Sequence, residues 1–342
     1  MPGDIFGAAV RITLLLAAVP LAAADGGSLS FDFVPAQERW TIFVEGPIDE
    51  GAAARFRDEL ASRQVESATV VLHSPGGLLF EGMALGQLIR QRGFATQVGR
   101  KGASPDAAPD PGACFSACVF AFLGGQYRFA QPASRIGVHR FSALAEADAD
   151  SVQIVSASVV KYIRAMGADV ELFERMSGKG KEQILLLSAA ELEGLRIVNH
   201  GRTQARWSVQ AKEGAMQVRG AQRNWDGAGE VVFSCSEGQV TFQPFYDVGN
   251  SADELAQYAV GHSMRLDASF VALGEPLQPL DSRDGRVSAL FVLDRNQAQS
   301  VADAASVGYA IVGARPNLAA GFTVDMAEGR EAVRSLVNTC RQ

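Results

Sequence analysis

The chain of 342 residues is long enough for two domains, and 47% hydrophobic against 20% charged content is that of a globular protein with a sizeable core. A net charge of -7 without a long basic or acidic block leaves no footprint for binding nucleic acid. The histidines at 73, 139, 200 and 262 are scattered, and no CxxC pair or His/Cys cluster points to a metal.

The first residues read as an export signal. Arg11 closes a short n-region, Ile12 to Leu21 is apolar, and Ala22-Ala23-Ala24 before Asp25 fits a small-x-small cleavage site, which gives a signal peptide over 1–24. The apolar run, interrupted by Pro20, is about half of the roughly twenty residues that span a bilayer, which argues for cleavage rather than anchoring. The mature chain is expected outside the cytoplasm, in the periplasm if the source is Gram-negative.

From Trp40 to about Gln204, short β-rich runs alternate with helix-period segments, predicting βα units and a mostly parallel sheet in an α/β domain over 25–205. Trp40 to Val44 is a strand closed by Gly46-Pro47. Ala52, Ala53, Phe56 and Leu60 then share a helical face, and Ala68 to Leu72 is a second buried strand. The next helix is expected to turn Phe80, Met83, Ala84 and Leu88 inward and to end near Gly93. Ala103 to Ala113, rich in proline, alanine and aspartate, is a surface loop. Val152, Val155, Val159, Ile163 and Met166 mark a long amphipathic helix.

After Arg206 the texture changes to alternating segments separated by Gly, Asp and Asn, including Val231 to Phe233, Val240 to Phe242 and Ala289 to Leu293. That pattern predicts a smaller, all-β accessory domain over 206–342, closed by a terminal helix from Glu331 to Val337. In an exported chain Cys235 and Cys340 are expected to pair and tie the last segment to the body. Cys114 and Cys118 flank Ser116 at a helical spacing that suits a disulfide poorly, so a packed thiol pair and a bridge both stay open.

Three segments carry chemistry. Ser74-Pro75-Gly76-Gly77 offers a backbone anion nest, Ser116 opens an apolar run as a nucleophile would, and Gly137-Val138-His139 supplies a base twenty-three residues later. Taken alone, Ser116 reads as a helix N-cap and Ser-Pro-Gly-Gly as a turn. Their order and spacing point to acyl transfer.

Val44 to Asp49, Leu72 to Gly77, the Ser116 segment, Arg135 to His139, and Leu187 to Glu191 followed by Ile197-Val198-Asn199 together resemble, in order, the landmarks of the proteolytic subunit of Clp protease. The resemblance spans roughly residues 38 to 205. It implies a ClpP/crotonase fold of stacked ββα units, with Ser116 as nucleophile, His139 as general base, and the amides of Gly77 and Ala117 as the oxyanion hole. Asn199 stands where the family has its third triad member, an Asp. Its amide oxygen is expected to orient the His139 tautomer without lending a full charge, and Asn199→Asp is expected to preserve or raise turnover. Lys161, a candidate for a Ser-Lys dyad, falls off the apolar face of its helix.

The expected activity is an exported serine peptidase that needs no cofactor and acts on peptides or unfolded polypeptide. No ATP-driven unfoldase is expected as a partner outside the cytoplasm, and homo-oligomerisation stays open. The alternative is a catalytically inactive ClpP-like binding protein. Acyl-CoA chemistry suits an exported chain poorly, because coenzyme A is largely cytoplasmic.

Overall fold

The computed structural model describes residues 27–36, 39–103, 107–141, 149–180, 182–212, 215–225, 227–313 and 319–340, so the expected signal peptide lies outside the described residues. The first part of the chain runs β1 (Ser30–Val34), β2 (Trp40–Glu45), α1 (Ala52–Ser62), β3 (Ala68–His73), α2 (Leu79–Gln91), β4 (Ala95–Val98), β5 (Ala113–Phe115) and α3 (Ala117–Leu123). It continues through β6 (Arg128–Ala130), β7 (Arg135–Val138), α4 (Ala149–Ala165), α5 (Glu171–Ser177), β8 (Leu185–Leu186) and α6 (Ala189–Gly194). A five-stranded sheet in the order β1-β2-β3-β4-β6 is parallel apart from β1, and β5, β7 and β8 form a second, three-stranded sheet.

Strand β3 is central, and its Val70, Val71 and Leu72 are all buried. A strand covered on both faces needs such a continuous apolar run. Helix α1 buries Ala52, Phe56 and Leu60, and its free N-terminal amides find a remote cap: the Glu81 carboxylate accepts from Gly51 and Ala53 at 3.1 and 3.0 Å.

Helix α2 buries Met83 and packs Leu88 against the core as the apolar spacing predicts, but turns Phe80 outward. Phe80 is 60% exposed, while Gly82, Met83, Leu85, Gly86 and Ile89 are buried. The cause is a close approach to α3. A methyl on Gly82 would lie 2.3 Å from the Ala117 carbonyl oxygen, and one on Gly86 would lie 2.4 Å from that of Phe120. Two glycines four residues apart let the backbones meet, and the larger side chains are displaced to the flanks.

All seven residues of α3 are buried. Arg90 donates to the carbonyls of Leu123, Gly124, Gly125 and Met166, and Arg128 to those of Gly125, Met166, Arg196 and Ile197. The two guanidiniums thus hold the carbonyl-rich ends of α3, α4 and α6 together, where cations are favoured. Burial, and secondly the charge of Arg90, pushes Arg128 down to about 9, which leaves it protonated at neutral pH.

The remainder runs β9 (Arg206–Lys212), β10 (Ala215–Asn224), β11 (Gly227–Ser236), β12 (Gln239–Asp247), α7 (Ala252–Tyr258), β13 (Ala259–Leu266), β14 (Ser269–Ala272) and β15 (Asp281–Arg283). It ends with β16 (Arg286–Ser288), β17 (Phe291–Val292), α8 (Arg295–Asp303), β18 (Ser306–Gly313), β19 (Ala319–Asp325) and α9 (Arg330–Thr339). Its strands form a seven-stranded and a four-stranded antiparallel sheet. The all-β expectation is corrected by α7 and α8, while the terminal helix expected from Glu331 to Val337 is present as α9. Helix α8 is short and polar, buries only Ala298, Val301 and Ala302, and is started by a capping box of Asp294 and Gln297.

Cys235 and Cys340 are disulfide-bonded, which joins α9 to β11. Buried apolar side chains fall into two clusters, one within residues 29–198 and the other within 205–340. Between them Trp225 meets Tyr127 and Phe129 edge-on, with the Arg39 guanidinium 4.0 Å above its ring. No helix among the described residues is long and apolar enough to cross a membrane.

In the second cluster His262 Nδ1 lies 2.7 Å from the buried Tyr309 hydroxyl, and burial holds the imidazole below its ordinary value of 6.5. As pH falls through about 6.5 the unfolded chain takes up a proton that the folded one resists, so stability is fully present above that pH and declines below it. Thermal melts between about pH 7 and pH 5 should therefore fall more steeply for the wild type than for His262→Gln, which keeps an acceptor for Tyr309 but does not titrate in that range.

Candidate active site

Strand β3 does not stop at His73. The Ser74 amide donates to the Ala113 carbonyl at 2.8 Å and the Ser74 carbonyl accepts from Phe115 at 3.1 Å, which carries the parallel pairing over onto β5. His73 Nδ1 accepts from the Ala113 amide at 3.0 Å and so packs beneath this junction. The Ser74 hydroxyl accepts from Gly76, turning the chain into two glycines with φ of 101° and 147°.

Both glycines are forced by space as well as by conformation. A methyl on Gly76 would lie 2.6 Å from the Phe115 carbonyl oxygen, 2.7 Å from Ser116 Cβ and 3.1 Å from the Ala117 nitrogen, and one on Gly77 would lie 2.2 Å from the Ile48 carbonyl oxygen. The loop is therefore pressed against the backbone of Ser116 and Ala117. No hydrogen bond from the Gly77 or Ala117 amide to another group occurs among the described residues.

Ser116 sits between β5 and α3 with φ 55° and ψ -122°, and its amide donates to the Gly137 carbonyl at 3.0 Å. In the helix-capping role its hydroxyl would accept from an amide of the first turn of α3, and it makes no such bond. The left-handed backbone turns the side chain out of cap geometry. The same Gly137 bond ties Ser116 to β7, and His139 immediately follows that strand.

His139 is half-buried, and its Nδ1 has no hydrogen-bond partner among the described residues. Asn199, expected to orient it, is engaged elsewhere. Its Oδ1 accepts from the amides of Arg128 and Gly201 at 2.8 and 3.2 Å, and its Nδ2 donates to the Gln126 carbonyl at 3.0 Å. Those contacts lie beyond the C-terminal end of α3, and Ser116 lies at the other end. A seven-residue helix of about 10 Å separates the two.

The Asn199 side chain fastens the start of β6 to the segment after α6, and among the described residues none of its hydrogen bonds runs to His139. Lys161 is exposed on α4. A cleft of about 860 Å³ opens between the two halves of the chain, lined by Arg128, Asn199, Gln204, Arg206, Gln222 and Glu230 among others, but not by Ser116 or His139.

Cys114 and Cys118 are disulfide-bonded, with Cα atoms 5.2 Å apart. The helical spacing misleads here because Cys114 belongs to β5 and the helix begins at Ala117. No cluster of metal-ligating side chains occurs among the described residues.

Replacing Asn199 by Asp sets an oxygen against the Gln126 carbonyl where a donor now stands. We expect Asn199→Asp to lose about 1–2 kcal/mol of stability, seen as a lowered melting temperature, and to gain no activity. A variant that melts normally and turns over faster would return Asn199 to the catalytic group.

No protein-family model matches the sequence, and no curated protein matches it. Among solved structures, the chain is similar to ClpP1 from Listeria monocytogenes at 18% identity, with a TM-score of 0.37 over 46% of this chain and 88% of that chain. A point mutant of the same ClpP1 gives 19% identity and a TM-score of 0.36 with the same coverage. A mutant of the 1510-N membrane-bound stomatin-specific protease gives 18% identity and a TM-score of 0.33 over 46% of this chain and 75% of that one.

Proposed function

We propose that this chain is a serine hydrolase acting on peptide bonds, with Ser116 as nucleophile and His139 as general base. The observation that carries the reading is the fit of Gly76 against Ser116 Cβ and the Ala117 nitrogen, beside a serine whose hydroxyl caps nothing and with the Gly77 and Ala117 amides unpaired among the described residues. A carbonyl entering this corner meets donors for the charge that develops on its oxygen.

Attack by Ser116 Oγ passes its proton to His139 and forms a tetrahedral oxyanion held by the two amides. Collapse expels the amine, protonated by His139, and water then resolves the acyl-enzyme through the same groups. Among the described residues no carboxylate bonds the His139 Nδ1 to steady an imidazolium, so turnover should be slow for this chemistry. The reaction needs no cofactor.

Two disulfides support an exported protein working in an oxidising compartment, the periplasm in a Gram-negative cell, away from ATP-driven unfoldases. The substrate is then a peptide or unfolded polypeptide that reaches the site unaided, and self-assembly into a homo-oligomer is compatible with the reading. The second reading, a catalytically inactive binding protein, is favoured by a His139 Nδ1 that has no hydrogen-bond partner among the described residues and by an Asn199 side chain that bonds backbone groups, as a decayed triad would leave them.

A fluorophosphonate probe separates the two. The hydrolase reading predicts covalent labelling mapped by mass spectrometry to Ser116, none in Ser116→Ala, and labelling slowed by at least about a hundredfold in His139→Gln. Silence of the wild type and of Ser116→Ala alike would favour the binding reading.

A further inference from the structure

We propose that the Cys114–Cys118 disulfide is a positioning element of the active site, holding Ser116 in its nucleophile conformation against its pull toward ordinary helix capping. The inference rests on the hydrolase reading above. The bridge closes a five-residue ring with Ser116 at its centre and the Ala117 amide inside it.

Both ends of the ring are anchored. Cys114 pairs with Ile136 in the β5–β7 ladder and bridges to Ser74, and Cys118 lies in the fully buried helix α3; each is 0% exposed. Ser116 alone spans the gap between these supports, in a positive-φ region that a non-glycine residue adopts rarely.

A serine preceding a helix has a competing conformation. With extended φ and ψ its hydroxyl accepts from an amide two or three residues on, which satisfies one of the free donors at the helix start. In this protein that alternative would consume the nucleophilic hydroxyl and rotate the Ser116–Ala117 peptide, turning the Ala117 amide away from the Gly77 amide. A covalent tie between Cys114 and Cys118 restricts that rotation. Reduction by a dithiol removes the restriction: two electrons and two protons break the Sγ–Sγ bond to give two thiols, and the dithiol closes into its own disulfide.

The test compares fluorophosphonate labelling and peptide hydrolysis in the wild type and in C114A/C118A, before and after treatment with dithiothreitol, with free thiols mapped by alkylation. We expect C114A/C118A to show kcat and the labelling rate lowered by at least about tenfold with KM changed less than about twofold, because the groups that touch substrate are kept and only their alignment is lost. Reduction of the wild type at Cys114 and Cys118 should reproduce that loss, and reoxidation should restore the rate, which a folding defect would not allow. The same treatment of C114A/C118A, which keeps Cys235–Cys340, should leave its rate unchanged.

Equal rates in the wild type and C114A/C118A, or equal responses of both to dithiothreitol, would overturn the positioning role while leaving the hydrolase reading intact. Absence of labelling in the oxidised wild type would overturn the hydrolase reading, and this inference with it.

Discussion

The site depends on one backbone junction. Through its amide and carbonyl, Ser74 extends β3 onto β5, and the Ser116 amide in turn binds β7 at Gly137. These three hydrogen bonds bring together three pieces of chain that are about forty and about twenty residues apart in sequence. Without them Gly76 has no reason to lie against Ser116 and the Ala117 nitrogen. Each bond is worth only about 1 kcal/mol net, yet they fix the register of everything that follows.

Helix α3 is held by its two ends in different ways. Its start is pinned by the junction and the disulfide, and its finish by Arg90 and Arg128, whose guanidiniums collect the carbonyls that no helical amide can reach. The free amides at its start carry partial positive charge, and the cations sit at the opposite, negative end. Gly82 and Gly86 complete the grip by letting α2 approach to backbone contact. A seven-residue helix would be marginal alone, and burial on every side makes it a rigid mount for Ser116.

Much of this was legible in the residues. The runs Trp40 to Val44 and Ala68 to Leu72, and the Ala52, Phe56, Leu60 face, became β2, β3 and α1 because a strand or helix buried on one pattern leaves that pattern in its apolar spacing. Glycines followed by a serine before an apolar run were informative because the loop at Gly76 excludes any side chain. What periodicity missed was contact made by absence: it placed Phe80 inside, whereas the close approach needed Gly82 and Gly86 there.

Asn199 shows another limit. Its place in a motif says nothing about which of several nearby backbone groups its amide will satisfy, and Gln126, Arg128 and Gly201 hold it. The Cys114–Cys118 bridge could not be read because it depends on where β5 stops and α3 starts, a boundary of one residue.

The proposed reaction requires the Gly77 and Ala117 amides to converge on a carbonyl oxygen bound at Ser116. A crystal structure of the protein after reaction with a fluorophosphonate tests it directly, since the phosphonyl oxygen occupies the oxyanion position. That oxygen should lie within about 3 Å of both amide nitrogens. An adduct with its oxygen turned to solvent, or a probe attached to a residue other than Ser116, would contradict it.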